Sequence, residues 1–126
     1  MARGTGLVMP HANGKRMKLP KDALISDEKL TRYLLAPKKR NDKSKWLANA
    51  GYVPETWSIL KNDLKTQVLP RDASLAESSS YGETYKIRTR LKGPNGKTLE
   101  VCTIWMVEKA TETTKFITMY PDKRSR

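Results

Sequence analysis

The sequence predicts an α+β domain in which about three N-terminal helices pack on a four-stranded antiparallel sheet. Three observations carry that expectation. Between Pro54 and Pro70, Trp57, Leu60, Leu64 and Val68 recur three, four and four residues apart, the spacing of one helix face. Beyond Pro70 the composition shifts to Ser, Thr, Tyr and Val, and three runs alternate with the period of a strand. Gly93, Pro94, Asn95 and Gly96 separate two of those runs as a hairpin turn. Helices followed by strands, with no internal repeat, read as α+β.

The chain has 126 residues, of which 37% are hydrophobic, enough for one domain with a modest core. It divides into a basic arm over residues 1–18, a single domain over 19–121 and a basic tail over 122–126. No apolar run nears the roughly 20 residues that cross a bilayer, and the N-terminus has no signal-peptide core. The expectation is therefore a cytoplasmic protein with no membrane partner. Cys102 is the single cysteine and His11 the single histidine, so a disulfide, a cysteine zinc site and a histidine triad are all unsupported. No metal site and no cofactor are expected.

Each element has a local cause. Met1 to Lys18 holds three glycines of the first fourteen residues and little periodicity, which reads as a flexible arm. Ser26 caps a short helix over 27–35, with Leu30, Tyr33 and Leu34 at helical spacing and Pro37 ending it. Asp42 or Ser44 caps a second helix in which Trp46, Leu47 and Ala50 face inward, Lys43 and Lys45 stand in the first turn, and Gly51 closes it. Pro54 opens the third helix and Pro70 stops it. A strand over 72–76 is followed by a mobile tip at 78–82, and residues 110–113 make the last turn.

The charge is strongly positive. There are 25 Lys and Arg against 13 Asp and Glu, a net charge of +12, and Met1 to Lys45 alone holds twelve basic residues against four acidic ones. Such a bias favours a polyanionic partner, with nucleic acid first and a soluble surface as the bland alternative. The strand pattern adds a surface. Alternation places Lys86, Arg88 and Arg90 opposite Tyr85, Ile87, Thr89 and Leu91, and antiparallel pairing could bring Thr103, Trp105, Thr118 and Tyr120 into line with the basic row. Cys102 falls on the apolar side in this scheme.

Scattered acidic residues argue against a paired-carboxylate or two-metal site, whereas metal-free phosphoryl transfer in RNA needs only positioning, proton movement and charge stabilisation. Arg88, with Lys86 or Arg90, would hold the phosphate, and Lys43 would add a second positive charge. Tyr120 or a lysine of depressed pKa would accept the proton, while Thr103 and Thr118 orient oxygens. Trp105 and Tyr120 are stacking platforms, and Lys38, Lys39, Arg40 and Lys45 extend the nucleic-acid surface. Alternatives stand beside each: Trp105 and Phe116 as a second core layer, the basic row as a solvated face, and the threonines as ordinary strand formers.

The blocks LPKDALISDEKLTRYLLAP, DKSKWLANAGYVPETWSILKNDL, LKGPNGKTLEVCTIWMV and FITMYP resemble a small bacterial toxin-tip domain family of the barnase, EndoU, colicin and RelE-like (BECR) superfamily of metal-independent RNases. The resemblance covers residues 19–121. It implies a bacterial protein, cytoplasmic or delivered into a target cell, with N-terminal helices on a four-stranded antiparallel sheet, and it points to Lys43, Thr103, Thr118 and Tyr120 as site residues. In that pattern a histidine often precedes the lysine, where this chain has Asp42, a weak substitute if the histidine is the base.

The resulting expectation is a metal-independent endoribonuclease toxin that cleaves RNA to a 2′,3′-cyclic phosphate, with an acidic antitoxin or immunity protein covering its cationic face. Two other readings remain: a non-catalytic RNA- or DNA-binding module, and an adaptor docking an acidic protein.

Overall fold

The computed structural model describes residues 16–40 and 42–123. The expected flexible arm lies outside them up to residue 15, and the tail lies outside them from residue 124. The helices precede the four long strands, as expected. The helical layer comprises α1 (Lys29–Leu34), α2 (Ser44–Ala48) and α3 (Trp57–Asp63). A tight turn at Pro54–Thr56 leads into α3, and a wide turn at Leu64–Val68 continues it. The sheet comprises β1 (Arg16–Met17), β2 (Ala73–Ser78), β3 (Gly82–Lys92), β4 (Thr98–Glu108) and β5 (Thr114–Pro121). Its order is sequential and every named pairing is antiparallel. The four long strands are those the sequence predicts, and β1 adds two residues along β2.

Local chemistry explains the helix boundaries. The Ser26 hydroxyl accepts the Lys29 N–H, capping α1. The Asp42 carboxylate accepts both the Ser44 N–H and the Ser44 hydroxyl, which starts α2. Gly51 ends that segment with φ of 93°, a left-handed conformation that suits glycine. The predicted stripe of α3 is realised, since Leu60, Leu64 and Val68 are completely buried. Each removes apolar area worth about 1.5–3 kcal/mol from water. Tyr33 departs from expectation: α1 buries Leu30 and Leu34 and leaves Tyr33 55% exposed.

Helices cover one sheet face only. Ile87, Leu91, Val101, Trp105, Phe116 and Met119 meet Leu30, Leu47, Leu60 and Leu64 in one core cluster. Tyr52, fully buried, ties the layers together by donating its hydroxyl hydrogen to Asp63 Oδ2 at 2.6 Å, with the Lys92 carbonyl at 3.2 Å. Burial and this bonded carboxylate push the Tyr52 pKa far above the usual phenol range.

The β3–β4 turn is more than a reversal. Asn95 donates its side-chain amide to the Asn49 carbonyl at 2.9 Å and its backbone N–H to the Ala50 carbonyl at 3.3 Å, docking the hairpin on the end of α2. A Cβ on Gly93 would stand 2.0 Å from the Ala50 carbonyl oxygen, so this contact requires glycine.

Strand register corrects the expected face assignment. Arg88 pairs with Cys102 and Cys102 with Tyr120, whereas Ile87 pairs with Thr103 and Tyr85 with Trp105. Directly paired residues share a face. Cys102 therefore stands with Arg88 and Tyr120 on the uncovered face, and Thr103 and Trp105 stand in the core. A bulge beside Ile104 and Trp105 also sets Phe116 against Trp105, on the opposite face from Thr118.

Candidate functional site

Two transverse rows cross the uncovered face, one strand spacing per step. Lys86, Ile104 and Thr118 form the first, and Arg88, Cys102 and Tyr120 the second. Thr118 and Tyr120 are two residues apart on β5, so the rows lie about 7 Å from each other. The first row ends on a helix-layer residue: Lys43, at the start of α2, reaches round the sheet edge and donates from Nζ to Thr118 Oγ1 at 3.0 Å. The second row ends in an open depression of about 440 Å³ lined by Arg88, Tyr120, Pro121, Asp122 and Lys123.

Electrostatics distinguishes these groups. Partial burial lowers the Lys43 pKa from 10.5, and the charge of Lys38 lowers it further. Tyr120 moves the other way. Its hydrogen bond with the Cys102 thiol, then burial, raise its pKa above 10.0, while the Arg88 guanidinium opposes the shift. Cys102 itself is buried. The Arg88 guanidinium donates from Nη1 to Asp122 Oδ1 at 3.3 Å, with side chains only 24% and 11% exposed. A guanidinium has five donor hydrogens, so this pair fixes its orientation and leaves donors for a ligand oxygen.

The structure sorts the sequence-predicted residues into three groups. Lys43, Arg88, Thr118 and Tyr120 come together on the uncovered face, with Lys86 in the Thr118 row. Lys38, Lys39, Arg40 and Lys45 are exposed in the segment that flanks Lys43 in sequence, while Arg90 is engaged with Glu100 at 2.8 Å. Thr103 and Trp105 do not belong to the site. Both are completely buried, the Trp105 indole N–H donates to Thr103 Oγ1 at 2.7 Å, and that hydroxyl donates to the Ile87 carbonyl at 3.1 Å. Thr103 satisfies a buried indole, and Trp105 packs edge-on against Phe116 with centroids 5.2 Å apart.

Two further assignments change. Tyr120 is a poor proton acceptor, because a raised pKa keeps the phenol protonated; Lys43, expected only as a second positive charge, is the lysine of this face whose lowered pKa suits the acceptor's task. Asp42 is committed to capping α2, and its bonds to Ser44 hold its carboxyl below the ordinary range. It is ill-suited to act as a base.

Sequence reasoning missed Asp122 and Cys102. Asp122 follows Tyr120 by two residues, a spacing that signals a shared face with Arg88. For Cys102 the signal lay in Glu100 and Glu108, which have its parity and mark that side of β4 as the solvent side. Among the described residues, no three His, Cys, Asp or Glu side chains gather as a metal-holding group. No helix there is long and apolar enough to cross a membrane.

Residues 16–123 match a family described as a domain of unknown function, DUF6883. The chain belongs to the DUF6883 family. The match takes in every element from β1 to β5, and with them Lys43, Arg88, Thr118, Tyr120 and Asp122. No curated protein and no solved structure matches the chain.

Proposed function

We propose that this DUF6883 chain is a metal-independent endoribonuclease, of the kind expected of a BECR-like toxin domain. The observation that carries the reading is the convergence of a partly buried lysine of lowered pKa, a neutral tyrosine and an oriented arginine on one uncovered sheet face. Those three groups match the three needs of RNA transesterification.

In this scheme the neutral fraction of Lys43 takes the proton of the ribose 2′-OH, and Thr118 holds the amine through their hydrogen bond. The O2′–P bond forms and the P–O5′ bond breaks. Tyr120 gives its hydroxyl proton to the departing O5′, a much stronger base than phenolate. The products are a 2′,3′-cyclic phosphate and a 5′-hydroxyl, and solvent returns the proton from the Lys43 ammonium to Tyr120. Arg88, steadied by Asp122, faces the negative charge that builds on the non-bridging oxygens. An acidic antitoxin or immunity protein would silence the enzyme by covering this face.

The test is incubation of purified protein with single-stranded RNA in excess EDTA. Discrete fragments that disappear with Lys43→Met and Tyr120→Phe support the reading. Intact RNA that is nevertheless bound, with affinity falling as salt rises, favours the non-catalytic binding module.

A further inference from the structure

Tyr33 has no role in the core that its spacing predicted for it. It lies 55% exposed on α1, whose inner stripe is made by Leu30 and Leu34. Lys38 places its Nζ over the ring, 5.2 Å from the centroid. Lys38 is also tied to the candidate site. Its backbone N–H helps to lower the pKa of the Asp42 carboxylate that caps α2, and its charge acts on Lys43. The Tyr33 ring with the Lys38 ammonium over it, and the Lys43 ammonium bonded to the Thr118 hydroxyl, therefore form a succession whose two lysines feel each other's charge.

That succession has the chemistry of a nucleotide, which pairs a flat base with a phosphate. We propose that Tyr33 and Lys38 form a base-stacking subsite for single-stranded RNA beside the Lys43 centre. The ring supplies a stacking surface for one unpaired base, and Lys38 meets the adjoining phosphate. Stacking on an aromatic ring tolerates any base, so the subsite fixes strand position rather than sequence. The identity of the ligand rests on the nuclease reading, but the subsite does not require cleavage.

The experiment measures binding of a short, fluorescein-labelled, 2′-O-methylated single-stranded RNA, which has no free 2′-OH and stays intact. Tyr33→Ala should weaken binding about tenfold, whereas Tyr33→Phe keeps near-wild-type affinity, because the ring carries the effect. Lys38→Ala should flatten the salt dependence by about one phosphate contact. Thermal melting of Tyr33→Ala should match wild type, since the side chain is exposed. Equal affinity of Tyr33→Ala and wild type overturns the subsite. Tyr33-dependent binding with no cleavage of the unmodified RNA instead defeats the nuclease reading and leaves the subsite standing.

Discussion

Lys43 is the residue on which site chemistry and protein stability meet. Its pKa in the folded chain lies below 10.5, so between the two values the unfolded chain holds a proton that the folded chain has released. Stability from this site therefore rises with pH across that window and is lowest where Lys43 is charged in both states. Lys43→Met should remove this dependence and change stability at neutral pH by no more than about 1 kcal/mol, since relief of burial offsets the lost bond to Thr118. Urea titration across the pH range checks it. Cleavage should fall by a factor of about 100 or more, and the rise of rate with pH should vanish with it. Thr103 is the counter-case. Thr103→Val leaves the Trp105 indole without its acceptor and should cost about 1–3 kcal/mol, while cleavage per folded molecule stays at the wild-type level. Loss of activity in that variant with stability intact would return Thr103 to the site.

At the scale of elements, the β3–β4 hairpin links the sheet to the end of α2, whose first turn presents Lys43. Gly93→Ala drives a methyl group into the Ala50 carbonyl, a backbone contact that cannot swing away. A loss of about 2–4 kcal/mol is expected, read as a lower melting temperature. The helices and this turn were legible because their signals are local: the cap at Asp42, Pro54, the stripe through Leu60, Leu64 and Val68, and the glycine turn. Strand faces were less so. In β3 the alternation of Lys86, Arg88 and Arg90 with Ile87 and Leu91 places the faces correctly, because one parity is charged and the other apolar. Both parities of β4 are apolar in the middle, and Thr103 and Trp105 are suggestive side chains for an RNA surface. The flanking Glu100 and Glu108 were the deciding signal. The bulge that turns Phe116 inward depends on β4–β5 pairing and has no local mark in the sequence.

For the whole molecule, one sheet face is buried under the helices and the other carries the cationic groups, some already balanced by acidic neighbours. Arg88 is held by Asp122, Arg90 by Glu100 and Lys115 by Glu108. The net charge of +12 thus exceeds what the sheet face alone presents to a ligand, and exposed Lys38, Lys39, Arg40 and Lys45 contribute from the helical side. Binding of single-stranded RNA should accordingly lose affinity with salt at a slope of about −0.7 per phosphate engaged, and replacing Lys38, Lys39 and Arg40 together by alanine should shallow that slope by about 2. A slope unchanged by the triple replacement would move the binding path away from the Lys43 side.

The most direct measurement compares two RNA oligonucleotides that differ only in one 2′-OH, incubated with the protein in excess EDTA and followed by end-group analysis. The nuclease account predicts a 2′,3′-cyclic phosphate at that position in the ribose form and no cleavage there when the hydroxyl is absent. Cleavage of the deoxy position, or fragments that carry 5′-phosphates, would contradict attack by the 2′-OH and with it the roles given to Lys43 and Tyr120.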